Sequence, residues 1–197
     1  MGLSYVARQP ILDRNKKLYG YELLFRNSEK NAFPSVTDEE ATHKLVIEQF
    51  FEHDQSVLGG KLGFINFPYN SLIQKLPTVL PNEHVIIEIL EDCEPTMDLL
   101  SAVIALKKEG YRFALDDFVP SPEWKPFLPY IDIIKFDIQI LPLDKLERLM
   151  RKMAETNIKF LAEKIETYDE FKQALDMGFE YFQGYFFSKP ELIKRKK

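Results

Sequence analysis

From Leu62 onward the chain keeps one rhythm: a short apolar run, a longer amphipathic stretch, then another short apolar run. The short runs fall at residues 62–66, 85–91, 113–118, 131–137 and 159–163, with a final aromatic-rich run at 179–187. A strand covered on both faces is apolar without alternation, so these runs read as buried parallel strands. Between them, residues 97–109 place Leu99, Leu100, Val103, Ile104 and Leu106 at helical spacing, with Gly110 as the stop. Residues 143–156 and 167–177 read as further helices, the last stopped by Gly178. Residues 72–80 read as a short helix and turn. Strand–helix alternation predicts a parallel sheet with covering helices. About seven or eight strands at this length fit a closed α/β barrel; an open doubly wound sheet is the alternative.

The chain opens differently. Residues 5–12 and 18–26 read as a hairpin around the polar turn Asp13-Arg14-Asn15-Lys16-Lys17. A loop at 31–36 leads to Thr37-Asp38-Glu39-Glu40, a capping-box pattern that opens a helix towards Phe51. Between the runs at 113–118 and 131–137, Pro120, Pro122, Pro126 and Pro129 make a long, stiff loop around Trp124. No G-x-G-x-x-G and no Walker pattern follows any strand.

Composition limits the function. With 45% hydrophobic residues, 197 residues supply one sizeable core and are short for two domains. A net charge of −5 argues against DNA as a partner. The single cysteine, Cys93, allows no intrachain disulfide, which suits a reducing cytoplasm. No apolar run is long enough to span a bilayer, which argues against a membrane partner. The basic end at 194–197 reads as a solvated tail or a linker.

The apolar runs carry polar residues inside them or at their ends: Glu22, Asn66, Glu88, Asp116 with Asp117, Lys135, Glu163 and Gln183. Each has a plain alternative. Glu88 could face solvent, Lys135 could pair with Asp132 or Asp137, and Asn66 before Phe67-Pro68 could be a turn residue. Parallel strands in a closed barrel would bring all of them to one end, where such folds place their ligands. Several carboxylates without a Cys/His cluster suit hard cations such as Mg²⁺ or Mn²⁺ and argue against zinc. His43, His53 and His84 are assigned no chemistry.

In this order the motifs resemble those of EAL domains, bacterial barrels that hydrolyse cyclic di-GMP to linear pGpG. Arg8-Gln9-Pro10-Ile11 is similar to the family's Y-Q-P-I, and Glu22-Leu23-Leu24-Phe25-Arg26 to E-A-L-x-R. Glu88-Ile89-Leu90-Glu91 resembles E-x-T-E, Asp116-Asp117-Phe118 matches D-D-F, and Lys135-Phe136-Asp137 matches K-I-D. Ala162-Glu163-Lys164-Ile165-Glu166-Thr167 resembles A-E-G-V-E-T, and the run from Gln183 to Pro190 matches Q-G-Y-x-F-x-x-P.

The resemblance implies a TIM-like (β/α) barrel of EAL type whose first strand is antiparallel. It covers nearly the whole chain, so residues 1–197 read as one domain, with the amino-terminal part of an EAL-HDOD protein as the wider setting. It implies a cyclic di-GMP phosphodiesterase using two ions of Mg²⁺ or Mn²⁺. Glu22, Asn66, Glu88 and Asp116 would hold the first ion; Asp116 and Asp117 would engage the second, with Glu163 close by. Lys135 would contact the attacking water and Gln183 would order it. Gln9 and Arg26 would contact the dinucleotide, and Glu91 would brace the loop after Asp117. Partners implied are cyclic di-GMP, an HDOD or other signalling domain, and a second copy of the chain.

Three departures from the family pattern stand out, and the loop and Lys164 among them favour a second reading, a domain that binds cyclic di-GMP or a partner protein without efficient turnover. Val119-Pro120-Ser121-Pro122 replaces the family's glycine-bearing loop, Leu23 replaces the signature alanine, and Lys164 replaces a glycine.

Overall fold

The computed structural model describes residues 5–26 and 58–193. The helix expected from Thr37, the loop before it and the basic tail lie outside the described residues. The strands are β1 (Tyr5–Asp13), β2 (Leu18–Arg26), β3 (Leu62–Phe67), β4 (Val85–Ile89), β5 (Arg112–Leu115), β6 (Ile133–Asp137), β7 (Lys159–Glu163), β8 (Tyr181–Phe182) and β9 (Glu191–Ile193). They run in the order β2-β3-β4-β5-β6-β7-β8-β1, and β1 pairs back onto β2. The sheet therefore closes, and the open-sheet alternative falls. Every neighbouring pair from β2 to β8 is parallel. β1 lies antiparallel to both β2 and β8, as the tight 13–17 turn requires. Asp13 Oδ1 holds that turn by accepting from the Asn15 and Lys17 amides at 2.8 and 2.9 Å.

Side chains alternate between the two faces of each strand. One parity fills the barrel: Ile11, Phe64, Ile86, Ala114, Ile133 and Leu161 form an apolar plug. The other parity, including Ile65, Ile87, Phe113, Ile134, Phe136 and Phe160, faces the helices and joins the larger core. Each such side chain, when fully buried, contributes roughly 1.5–3 kcal/mol.

The covering helices are α1 (Tyr69–Ile73), α2 (Met97–Lys108), α3 (Leu143–Lys152) and α4 (Tyr168–Met177). Thr96 caps α2 by accepting from the Leu99 amide at 3.1 Å. Thr167 and Glu170 form a capping box on α4, and Gly178, at φ 98°, supplies its left-handed stop. Among the described residues no helix is long and apolar enough to cross a membrane.

The structure differs from the sequence reading in several places, among them the short strand β9, which the sequence reading did not include. α1 begins earlier and is shorter than the expected 72–80 segment. The expected helix at 143–156 ends at Lys152. The proline-rich segment winds into 3-10 turns at Pro122–Trp124 and Leu128–Tyr130, each with proline near its start. Trp124 is buried there against Phe118 and Phe127, which ties the segment to the core. β8 spans two residues rather than 179–187. Beyond it the chain turns at Gly184, and Phe186 and Phe187 leave the sheet to pack on Phe171.

Candidate active site

The apolar plug occupies only one end of the barrel. Two residues further along each strand, on the same inward face, the chemistry changes. Phe64 is followed by Asn66, Ile86 by Glu88, Ala114 by Asp116, Ile133 by Lys135, and Leu161 by Glu163. Tyr181 is followed in the same way by Gln183. On β1, which runs the other way, Gln9 lies two before Ile11 and sits opposite Glu22 in register. Asn66 sits beside Glu88. Closure thus converts scattered polar residues into a ring at the carboxyl end of the strands.

Lys135 is the centre of that ring. Its Nζ lies 2.6 Å from Glu88 Oε1, 2.7 Å from Asp116 Oδ1, 2.7 Å from Glu163 Oε1 and 3.7 Å from Glu22 Oε1. Lys135 and Glu88 are fully buried, and Glu22 and Glu163 nearly so. Burial alone would lower the Lys135 pKa, but Asp116, Glu163, Glu22 and Glu88 together raise it well above its ordinary value. Burial pushes the Glu88 and Glu163 carboxyls well upward, against the pull of Lys135, and the charges of Glu22 and Asp116 add to the rise.

Gln183 links the ring to β1. Its Nε2 donates to Gln9 Oε1 at 3.0 Å and to Glu22 Oε2 at 2.5 Å. Gln9 in turn donates to the Ser188 carbonyl at 3.1 Å. Asp116 and Asp117 lie just past β5, on a turn pinned by the Asp116 amide to Ile89 O and the Phe118 amide to Lys135 O. Asp117 holds φ 41°, a left-handed conformation that costs a non-glycine residue roughly 1–2 kcal/mol. Such strain persists where the surroundings fix it, commonly at sites.

Two groups of oxygens have the spacing of cation ligands. Glu22, Glu88 and Asp116 offer atoms within 4.8 Å of one another, and so do Glu91, Asp116 and Asp117. Burial raises the Glu91 pKa, and Asp116 and Asp117 raise it further. Glu88 Oε2 and Asp117 Oδ1 are buried without a hydrogen-bond partner among the described residues. A buried carboxylate oxygen left so costs at least about 1–3 kcal/mol, which a cation would offset. Among the described residues, Glu22, Glu88, Glu91, Asp116, Asp117 and Glu163, when ionised, outnumber the Lys135 ammonium, an excess of negative charge that divalent cations would offset, and all-oxygen donors are what hard cations take. The residues present therefore fit the metals that the sequence motifs imply.

A cavity of about 300 Å³ opens beside the outer group. Its lining combines Glu91, Asp116 and Asp117 with Leu90, Phe118, Val119 and Trp124. The altered loop after Phe118 thus still builds a wall of the site.

Of the residues expected here, Gln9, Glu22, Glu88, Asp116, Lys135, Glu163 and Gln183 meet in direct contacts. Asn66 lies on the same face, and Asp117 and Glu91 form the outer group. The Arg26 side chain lies outside the described residues. Asp137 was given no role by the sequence reading. It is buried, its Oδ1 accepts from the Gln139 amide at 2.8 Å and the Ile140 amide at 3.3 Å, and its Oδ2 pairs with the Lys164 ammonium. Its place two residues after Lys135 on the same strand was the available signal.

A family model described as the EAL domain matches residues 3–190. The chain is 51% identical over 200 residues to "Cyclic di-GMP phosphodiesterase CdgJ" of Vibrio cholerae, covering 100% of this chain and 46% of that protein. It is 41% identical over 197 residues to "Uncharacterized protein YuxH" of Bacillus subtilis, covering 96% of this chain and 48% of that one. It thus spans about half the length of the curated relatives it matches. Among solved structures, an EAL domain protein from Listeria monocytogenes superposes with a TM-score of 0.77 at 20% identity, over 95% of this chain and 88% of that one. A Klebsiella pneumoniae BlrP1 complex with calcium and cyclic di-GMP gives 0.77 at 23% identity, over 98% and 58%. At that identity the structural likeness speaks for the fold, the closed barrel with its reversed first strand.

Proposed function

The chain belongs to the EAL domain family, and from that membership and the geometry of its site we propose that it hydrolyses cyclic di-GMP to pGpG. The observation that carries the reading is the buried ring of Glu22, Glu88, Asp116 and Glu163 around Lys135. That ring joins five of the charged groups that the motifs implied, with Asp117 and Glu91 in the outer group beside it.

In this reading Glu22, Asn66, Glu88 and Asp116 hold one divalent ion, Mg²⁺ or Mn²⁺. Asp116 and Asp117 hold a second, with Glu163 beside them. Such ions lower the pKa of water and offset charge on phosphoryl oxygens. Lys135 donates to the attacking water and fixes its approach to phosphorus. Gln183, steadied by Gln9, orders the same water. The new bond joins water oxygen to phosphorus and the bond to the ribose 3′ oxygen breaks; the proton that the water gives up is balanced by the one that the 3′ oxygen takes up. Arg26 and Gln9 contact the dinucleotide, and Glu91 steadies the loop after Asp117. A cytoplasmic location, an HDOD or other signalling neighbour and a homodimer belong to the same reading. The unmatched half of each curated relative supports further sequence beside such a domain.

The second reading, binding without turnover, draws on Lys164 and the loop at Val119-Pro120. Incubation with cyclic di-GMP and excess Mn²⁺, with nucleotides resolved by chromatography, separates the two. The expected result is pGpG, absent in chelator and absent with Glu22→Gln. Retained but intact nucleotide would favour the binding module, and no retention at all would remove both.

A further inference from the structure

Lys164 sits at the carboxyl end of β7, directly after Glu163, where the resembling motif has glycine. Its backbone keeps the conformation that glycine favours: φ is 57°, at a steric cost that glycine would not incur. The side chain is fixed by the end of β6. Its ammonium pairs with Asp137 Oδ2, while Gln139, two residues further on, donates through Nε2 to the Lys164 carbonyl at 3.2 Å. Asp137 is itself locked by the Gln139 and Ile140 amides. One turn therefore holds the main chain and the charge of Lys164 together, beside the strand end that carries Glu163. Burial would lower the Lys164 pKa, but the hydrogen bond to Asp137 and the charges of Asp117, Asp137 and Glu163 raise it. Lys164 thus brings an ammonium to the strand end that carries Glu163, one residue beyond the ring.

We propose that Lys164 is a tethered competitor for the outer cation: its ammonium, anchored on Asp137, weakens a divalent ion on the Asp116–Asp117 side and leaves the Glu22–Glu88–Asp116 position unaffected. This rests on the metal-dependent reading above. A like charge opposes a cation most strongly where solvent is least able to screen it. The Lys164 side chain is 55% exposed, so the effect is moderate rather than absolute. The consequence is graded occupancy: the inner position fills first, and the outer one fills only at higher metal concentration.

Mn²⁺ titration followed by the electron paramagnetic resonance of the free aqueous ion tests this without any turnover. The protein is compared with Lys164→Gln, which removes the charge and keeps the stem, and Lys164→Arg, which keeps the charge. Expected are two classes of Mn²⁺ site, the weaker tightened about tenfold by Lys164→Gln, the size of one like charge acting across partly solvated ground. The tighter class stays unchanged, and Lys164→Arg leaves both within about twofold. An unchanged weaker class in Lys164→Gln, or equal tightening in both variants, overturns the proposal while the inner site stands. Absence of saturable Mn²⁺ binding in every form would instead remove the metal-dependent reading itself.

Discussion

For the proposed reaction, Lys135→Met is expected to lower turnover of cyclic di-GMP by about a thousandfold or more, the range for losing a positioned hydrogen-bond donor from a preorganised site. It also separates two jobs of one side chain. Among the described residues the Lys135 ammonium is the cation that Glu22, Glu88, Asp116 and Glu163 share. Removing it leaves buried carboxylates uncompensated, which costs about 3–5 kcal/mol while they stay ionised. Glu88 and Glu163, whose pKa values burial already raises, take up protons and recover part of that loss. Urea unfolding in chelator therefore shows a clear drop in stability. Added Mn²⁺ restores stability, because the ions replace the missing charge. In the proposed mechanism it does not restore turnover, because no ion replaces Lys135 as the group that positions the attacking water. Turnover within about tenfold of the unmodified protein would mean that the reacting water lies elsewhere.

Gly184→Ala unfolds the same end of the barrel by sterics alone. A Cβ at Gly184 would lie 2.2 Å from the Ile165 carbonyl oxygen, 2.3 Å from its nitrogen and 2.8 Å from its carbonyl carbon. These are backbone atoms, and they are already committed. The Ile165 amide donates to Gln183 O at 3.1 Å, and Ile165 O accepts from the Phe186 amide at 3.0 Å. A methyl group can enter only by driving the exit of β7 away from the turn after β8. That movement breaks both hydrogen bonds and pulls Gln183 from Gln9 and Glu22. The expected cost is about 3 kcal/mol or more, at the severe end of overpacking. Trp124, the one tryptophan, reports unfolding from its buried position in the proline-rich segment. A midpoint shift equivalent to less than about 1 kcal/mol would mean that the two segments are not wedged together.

The inner ring was legible because burial makes charge conspicuous. Glu88 and Lys135 interrupt apolar runs, and Asp116 and Glu163 end them; the even spacing from Ile86, Ala114, Ile133 and Leu161 puts all of them on the plug's face. The strand–helix rhythm alone left a closed barrel and an open sheet both standing; the resemblance to EAL domains pointed to the barrel, and the pairing of β1 with both β2 and β8 closes it. Other features depend on contacts between segments far apart in the chain. The run at 179–187 looks strand-like because it is aromatic, yet Gly184 against Ile165 turns it out of the sheet. The four prolines near Trp124 suggested a bare loop, but the indole's burial on Phe118 and Phe127 lets short 3-10 turns form. Asp137 was overlooked because its partner, Lys164, arrives from the next strand.

The central claim, that this ring of carboxylates around Lys135 turns water on a phosphodiester, is tested most directly by isotope transfer. Cyclic di-GMP is incubated with the protein and Mn²⁺ in water enriched in oxygen-18, and the products are weighed by mass spectrometry. The account predicts pGpG carrying a single heavy oxygen on its terminal 5′ phosphate. Cyclic di-GMP recovered intact and unlabelled, from protein that retains both the nucleotide and Mn²⁺, would contradict it.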